Sequence, residues 1–384
     1  MHFKKLFCFF LAVCMTVLTA GCGEDLPVTE GIGAPAVSEP DIAVTIGGHK
    51  LTSVEFRPYY RDAVDEFYND WANSYIFGED VADFDPTVPL NEQYYDAETE
   101  TTWADHFVQE ALAAAKQDLI LCAMAKADGF TLSEEQQAAL DQQQVNLSEY
   151  AALYGYGDTD SFLSAYYGPD HNETNYMAYL KRQATAEAYA NAHREGLRYP
   201  EDILASQDTG IYEPYPMGNV RHLLVQFEGT TEEDTGYTVY TDEDRENTKK
   251  QAMEYWELWK SGAADEAAFI QLVKEYSDDG YPERGGLYKN IHPESNYVGS
   301  FKSWATDPAR VTGDTDIIET EYGYHVMYFV GWSELNYRDY MITEQLRDSD
   351  QEAWLAEILQ KVEAEVLDYS GLELDRMLDL SVTE

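Results

Sequence analysis

The sequence predicts an α+β protein in which a mostly helical region precedes a smaller mixed region. From about residue 40 to 200, apolar residues recur at helical spacing between capping signals, and little strand pattern is present. From Val220 to Trp332, two apolar runs typical of strands each contain a histidine, and a helical segment and a glycine-marked turn lie between them. Hydrophobic residues make up 44% of the chain, enough for sizeable cores despite a formal net charge of -47.

The first residues predict export. Two lysines precede an apolar stretch, 6–18, that is too short to remain as a membrane-spanning helix. Small residues then lead to Cys22, a pattern that resembles the lipoprotein signal of bacteria, in which residues 1–21 are removed and the cysteine receives lipid. The alternative is an ordinary secretory signal with an incidental cysteine. The lipoprotein interpretation places the protein on the extracytoplasmic face of the cell membrane, with 22–40 as a flexible tether.

Caps and breakers predict the elements of the helical region, 41–215. A short strand runs into the Gly-Gly turn before His49, and Thr52 with Glu55 forms a capping box. Residues 78–100 lack periodicity and contain prolines, which indicates a loop. Helices are predicted at Thr52–Ile76 and Thr101–Asp128, and a third starts at a second capping box, Thr131–Glu134. After a glycine break, a short helix ends at about Tyr167, and a longer one runs from about Asn172 to Leu197.

The mixed region, 216–334, resembles a known enzyme family. Its first strand contains His222, its helical segment ends in Ser-Asp-Asp at Asp279, a Gly-Gly-Leu-Tyr turn follows, and its last strand contains His325. This order is similar to the parvulin peptidyl-prolyl cis-trans isomerases. The resemblance implies a small antiparallel sheet with surrounding helices and isomerisation of Xaa-Pro bonds. It implies no cofactor.

The same resemblance assigns roles to individual side chains. Matched position by position, the catalytic cluster has a histidine from the first strand, an acid, a hydroxyl and a histidine from the last strand, which are His222, Asp279, Thr320 and His325. The residues expected to bind the substrate are Leu287, Tyr297, Phe301 and Tyr322. Either histidine alone would more simply be a satisfied core residue. No metal site is predicted, since the paired acids of the chain do not fit a calcium loop.

The helical region and the segment 335–384 are similar to SurA/PrsA-type extracytoplasmic foldases. The segment is predicted to be a helix from Tyr337 to about Leu367 with an apolar stripe, followed by a tail. The resemblance implies that this helix packs back on the helical domain. The predicted function is therefore that of an isomerase and foldase for exported polypeptides.

Charge restricts the partners further. Between His222 and Asp244 the chain has several acids and no lysine or arginine, so a phosphorylated substrate would be repelled. The net charge also argues against nucleic acid as a partner. The predicted substrates are unfolded, unphosphorylated polypeptides that contain Xaa-Pro bonds. Two alternatives remain, which are a holdase with a degenerate parvulin domain and a solute-binding lipoprotein.

Overall fold

The computed structural model describes residues 42–77, 83–207, 210–231, 238–280 and 282–367. The chain divides into two compact units, one formed by Met1–Gly196 with Gln351–Glu384 and the other by Leu197–Asp350. The predicted signal peptide, Cys22, the tether and the tail after residue 367 lie outside the described residues. In the described part of the chain, no helix is long and apolar enough to cross a membrane.

The first unit begins with a hairpin of β1 (Ile42–Ile46) and β2 (His49–Thr52), which leads into α1 (Ser53–Phe77). The predicted capping box is confirmed, because the Thr52 hydroxyl accepts a hydrogen bond from the Glu55 amide and the Glu55 carboxylate accepts one from the Thr52 amide. The elements that follow are β3 (Tyr94–Asp96), β4 (Thr101–Thr102), α2 (Trp103–Ala127), α3 (Glu134–Leu153), α4 (Thr159–Tyr167) and α5 (Glu173–Gly196).

Two local predictions in this unit were wrong. The loop predicted over 78–100 contains the strand β3, which pairs with β4 in a short antiparallel hairpin. The capping box of α3 starts at Ser133 rather than Thr131, because the Ser133 hydroxyl accepts from the Gln136 amide and the Gln136 side chain caps in return. Both corrections concern hydrogen bonds, which join the backbones of β3 and β4 in the first case and the Ser133 side chain to a helix amide in the second.

The core of the first unit contains residues from near the first and the last residues that the structure describes. Aromatic side chains of α1, such as Phe56 and Tyr60, are buried against α2. The helix α10 (Tyr337–Gln360) contributes Ile358 to the same core, so the prediction that the C-terminal helix packs on the helical domain is confirmed, and Val362 follows from the turn after the helix. Its predicted length was wrong, because residues 364–366 form β11, which pairs antiparallel with β1.

The second unit contains the predicted small antiparallel sheet, which has four strands. Its strand order is β8 (Leu287–Ile291), β5 (Gly218–Gln226), β10 (Gly323–Trp332) and β9 (Thr315–Glu319). The two histidine-bearing strands, β5 and β10, are the central pair. The remaining elements are α6 (Glu201–Ser206), β6 (Thr230–Thr231), β7 (Thr238–Val239), α7 (Asp242–Ser261), α8 (Glu266–Tyr276), a 3-10 turn (Pro282–Arg284) and α9 (Gly299–Ala305).

The two faces of this sheet pack against different helices. Leu223 and Val326 lie on the face covered by α7 and α8, where Phe269 fills the centre of an apolar core. Val220 and Met327 lie on the opposite face, where α9 contributes Phe301 and Trp304. The histidines belong to this second face.

Candidate active site

Strand register brings the two predicted histidines together. On the central pair of strands His222 is directly opposite Met327, and His325 is directly opposite Leu224. Each histidine is therefore a diagonal neighbour of the other on one face of the sheet, close enough for their rings to meet. Both side chains are buried.

Hydrogen bonds link Thr320, His325 and His222 into a buried chain, and the Asp279 carboxylate lies beyond hydrogen-bonding distance at its end. The Nδ1 atoms of His222 and His325 are 2.9 Å apart. The Nε2 atom of His325 is 2.8 Å from the Thr320 hydroxyl, which also accepts a hydrogen bond of 3.2 Å from the Tyr322 amide. At the other end of the chain, His222 Nε2 lies 3.7 Å from a carboxylate oxygen of Asp279. The structure thus unites all four residues of the predicted catalytic cluster.

Burial keeps both rings uncharged at neutral pH. Loss of water lowers the pKa of His222 to about 4. Burial, followed by repulsion from His222, lowers the pKa of His325 to about 3. A neutral imidazole has one N–H and one lone pair, so in the Nδ1–Nδ1 contact one ring donates and the other accepts.

Asp279 determines which ring donates. If His325 Nδ1–H donates to His222, the remaining proton of His222 is on Nε2 and faces the Asp279 carboxylate. The Thr320 hydroxyl then donates to His325 Nε2 while it accepts from the Tyr322 amide. The reverse order would turn the Nε2 lone pair of His222 toward that carboxylate, which is repulsive. The favoured proton order therefore runs from Thr320 through His325 and His222 to Asp279.

The backbone of β5 holds Asp279 in place. The Ser277 hydroxyl accepts hydrogen bonds from the amides of Leu224 and Asp279. The Asp278 amide donates to the Leu224 carbonyl, and the Asp278 carboxylate accepts from the Gln226 amide. The segment after α8 is thereby fixed along the strand that carries His222, and it presents Asp279 at the end of the imidazole chain.

A second group fixes the same carboxylate. The Tyr288 hydroxyl donates to Asp279 Oδ2 over 3.0 Å. Burial, and then the Asp279 charge, raises the pKa of this phenol, so it remains a donor. The Tyr288 ring also meets His222 edge to face, with ring centres 4.8 Å apart. Tyr288 is a site residue that the sequence analysis missed.

A glycine turn allows this close approach. Gly286 has φ +63, and a Cβ built there would lie 2.1 Å from the His222 carbonyl oxygen. The Gly286 carbonyl accepts the hydrogen bond of the His222 amide at 3.0 Å. From the other face of the sheet, Arg221 donates to the Gly285 carbonyl and pairs with Glu266, each at 2.8 Å. The turn is thus fixed on both sides, and no larger residue fits at Gly286.

Aromatic side chains surround the histidines. The ring of Phe301 lies 5.2 Å from that of His222 and 5.6 Å from that of His325, both edge to face. Tyr297 contacts the rings of Phe301 and Tyr288 at 5.7 and 5.8 Å and is partly exposed. An apolar, aromatic wall therefore stands beside a buried polar chain.

Two predicted substrate-binding residues lie elsewhere than expected. Leu287 pairs with Arg221, and strand alternation directs both to the face opposite the histidines, so Tyr288 takes the place expected of Leu287. Tyr322 is 53% exposed, and its link to the cluster is the backbone amide that donates to Thr320. Of the four predicted binding residues, the structure places Phe301 against the histidines and Tyr297 against Phe301.

The acids predicted to repel phosphate are only partly described. Residues 232–234 lie outside the described residues. Asp244 caps the start of α7, where the Thr241 amide and hydroxyl donate to its carboxylate. The first cation after these acids, Arg245, pairs with Glu319 at 2.8 Å and lies over the Phe227 ring. Among the described residues, no group of three or more His, Cys, Asp or Glu side chains could hold a metal ion.

The comparisons with known proteins agree with this geometry in one respect. Residues 222–331 match the Rotamase family model, described as the PPIC-type PPIase domain. These residues form a parvulin-type peptidyl-prolyl isomerase domain, and they contain every residue of the predicted cluster. No curated protein matches the chain.

Several solved structures are similar to the chain at low identity. PrsA from Bacillus subtilis is 21% identical, with a TM-score of 0.35, over 68% of this chain and 87% of that one. The foldase protein PrsA from Streptococcus pneumoniae is 14% identical, with a TM-score of 0.30, over 70% and 89%. A SurA-like chaperone from Campylobacter jejuni is 17% identical, with a TM-score of 0.22, over 60% and 82%.

Proposed function

From the parvulin-type domain at residues 222–331, we propose that this protein is a peptidyl-prolyl isomerase and foldase for exported, unphosphorylated polypeptides. The observation that carries the proposal is the neutral His222–His325 pair, hydrogen-bonded at 2.9 Å beside Phe301. Such a pair is costly to bury, and an apolar core would not need it. Its position on the central strands of a PPIC-type domain supports a role for the pair in isomerisation.

The reaction needs an apolar pocket and a fixed polar framework. Rotation about an Xaa-Pro amide must overcome a barrier of about 18–20 kcal/mol that arises from amide resonance, and no bond is made or broken. An apolar surface removes water from the amide and so disfavours its charge-separated resonance form. Donors fixed near the twisted amide stabilise it more than the planar one.

The residues of the site supply both requirements. We assign proline binding to the wall of Phe301, Tyr297 and Tyr288, which stands over the buried polar groups. We assign the framework to Thr320, His325, His222 and Asp279, whose proton order leaves the N–H of His222 Nε2 toward Asp279. Because both rings are neutral, catalysis should need no change of charge near neutral pH.

Charge determines the substrate class. The site lies beside Asp279, and acids follow β5 without an intervening lysine or arginine up to Arg245, which already pairs with Glu319. A phosphate before the proline would meet repulsion there instead of the basic grip that phosphate recognition requires. The proposed substrates are therefore unphosphorylated Xaa-Pro segments of unfolded polypeptides.

The location follows from the N-terminus. We propose that Cys22 carries lipid after removal of residues 1–21, so that the protein is anchored on the outer side of the cytoplasmic membrane. Metabolic labelling with a tagged fatty acid tests this directly. The wild-type protein should become labelled, and the Cys22→Ser variant should not.

An isomerisation assay tests the activity. Wild-type protein should accelerate cis-trans exchange of a short proline peptide, followed by NMR exchange spectroscopy. His222→Ala and Asp279→Ala should each lower kcat/KM by at least about tenfold, which corresponds to about 1.4 kcal/mol. Circular dichroism should show that both variants remain folded.

The controls separate isomerase from holdase. Wild-type protein with no acceleration of exchange, but with suppressed aggregation of an unfolded protein, would favour a holdase with a degenerate parvulin domain. Equal rates for wild type and both variants would show that the cluster has no catalytic role.

A further inference from the structure

Large apolar side chains are exposed on the first unit, far in sequence from the isomerase domain. We call those at the end of α3 and in the turn after it, together with the half-buried Phe162 of α4 that two of them contact, the tyrosine patch: Tyr150, Leu153, Tyr154, Tyr156 and Phe162. Leu153 is 75% exposed, Tyr154 55% and Tyr150 50%. Exposed apolar residues are ordinary when scattered, but a contiguous group of this kind marks a binding surface.

The patch is fixed in position before any ligand arrives. The buried residues of α3, Leu140, Leu147 and Ala151, define a different face of the helix, so Tyr150 and Leu153 are not needed to hold it. The rings of Tyr154 and Tyr156 contact Phe162, with centres 5.9 and 5.5 Å apart.

Phe162 in turn packs on the small core of Leu147, Leu163 and Tyr167. Tyrosine has few rotatable bonds, so an already packed tyrosine surface binds a ligand with little loss of conformational entropy. The patch is therefore a preformed surface on a rigid base.

The charged residues that adjoin the patch along the chain are acidic. Between Lys126 and Lys181 the chain has no lysine or arginine. Acids flank the patch on both sides, with Glu149 before Tyr150 and Asp158 and Asp160 after Tyr156, and all three are exposed. The Ser161 amide donates to Asp158 at 2.7 Å and holds the pKa of that carboxyl below its ordinary value. The apolar surface is thus flanked by exposed carboxylates.

This combination selects one kind of occupant. A second copy of the chain, with a formal net charge of -47, would be repelled, as would nucleic acid or an anionic membrane. Lysine and arginine are attracted both to the carboxylates and to the faces of tyrosine rings. We propose that the tyrosine patch binds extended polypeptide segments in which lysine or arginine alternates with apolar side chains. The proposal rests on the proposed function only in that the ligand is a polypeptide, because binding at the patch needs no proline.

The test uses the full-length protein and two labelled, proline-free peptides of equal length. One alternates lysine with leucine and phenylalanine, and the other replaces each lysine with glutamate. Fluorescence anisotropy should show binding of the cationic peptide, weakened by salt, and much weaker binding of the anionic one. The triple variant Tyr150→Ser, Leu153→Ser, Tyr154→Ser should weaken binding by about tenfold or more.

A control variant and a second patch variant test whether the effect is specific to the patch. The variant Val145→Ser, Tyr94→Ser removes exposed apolar side chains elsewhere on the first unit and should bind like wild type. The single change Leu153→Lys, at the most exposed position of the patch, should also weaken binding without affecting the fold. Both patch variants should retain isomerisation of a short proline peptide, and His222→Ala should retain peptide binding, so that the two sites fail independently.

Several outcomes would overturn the proposal. The first is unchanged affinity in both patch variants, and the second is equal affinity for the cationic and anionic peptides. The third is a concentration-dependent dimer of wild-type protein, seen by sedimentation, that the triple variant abolishes. That result would show the patch to be an interface between copies of the chain.

Discussion

The two faces of the four-stranded sheet share their strands but bury different chemistry. On the face under α7 and α8, Leu223, Val326 and Phe269 form an apolar core. On the opposite face, His222 and His325 are also buried but are joined by a hydrogen bond. The neighbours His222 and Leu223 therefore differ in role, since Leu223 packs in the apolar core and His222 makes polar contacts. The comparison teaches that burial alone does not distinguish core residues from site residues on this sheet.

The largest expected effect is on the core face. Leu223→Ala removes a fully buried side chain and should lower the free energy of unfolding of the second unit by about 2–5 kcal/mol. Its activity per folded molecule should stay near the wild-type value. Urea unfolding followed by tryptophan fluorescence, together with the isomerisation assay, measures both. A fall in kcat/KM as large as that of His222→Ala would erase the distinction between the faces.

The histidine face should make stability depend on pH. Folding lowers the pKa of His222 to about 4 and that of His325 to about 3, so below pH 6.5 the unfolded chain binds more protons than the folded one. The stability from the neutral rings is fully present above pH 6.5 and is lost as pH falls toward 4. For His222 alone the loss is on the order of 3 kcal/mol.

A variant without the imidazoles sharpens this prediction. In the double variant His222→Met, His325→Met, unfolding midpoints measured between pH 7 and 4 should change less steeply than in wild type. Parallel pH dependences for the two proteins would mean that other groups control acid unfolding.

A smaller effect is expected at Tyr288, which connects the aromatic wall to the polar groups of the site. Tyr288→Phe keeps the ring but removes the hydroxyl that donates to Asp279, and it should lower kcat/KM by several-fold, about 1 kcal/mol. Tyr297→Phe is the matched control, because it removes a hydroxyl from the adjacent ring of the same wall. Equal kinetics for the two variants would show that the Tyr288 hydroxyl does not position the carboxylate.

The smallest effect concerns the charge of the substrate. Lysine before proline should be preferred over glutamate, by about 1 kcal/mol at most for exposed charges. The preference should shrink between 0.1 and 1 M salt, because the Debye length falls from about 10 to about 3 Å. Leu223→Ala should leave this preference intact, since the core face is closed to solvent. A clear preference for glutamate or phosphoserine would contradict the acidic surroundings of the site.

Local signals made much of this structure predictable. The Thr52 capping box and the strand pattern around each histidine lie within a few residues of the elements they define. The approach of His222 to His325 followed from the family resemblance, which supplied the pairing of two distant strands. The sheet and the helical unit were predicted on these grounds.

Residues whose placement depends on pairing could not be predicted in the same way. Gly218 pairs with Ile291 and Val220 pairs with Tyr288, so one residue of β5 lies opposite two residues of β8. One of those two, Asn290, has φ +57. The extra residue breaks the alternation, so that Tyr288 shares a face with Ile291 although three positions separate them. Regular counting from Ile291 points to Leu287 instead.

The pairing of β11 with β1 has a consequence for the order in which the protein folds. All residues of the second unit, Leu197–Asp350, are synthesised before those that complete the first. The N-terminal unit must wait for Ile358 and Val362 to fill its core and for residues 364–366 to pair with Val44–Ile46. The unit that starts first is thus finished last. While the chain emerges, its N-terminal helices lack part of their core, and the isomerase domain can already be folded.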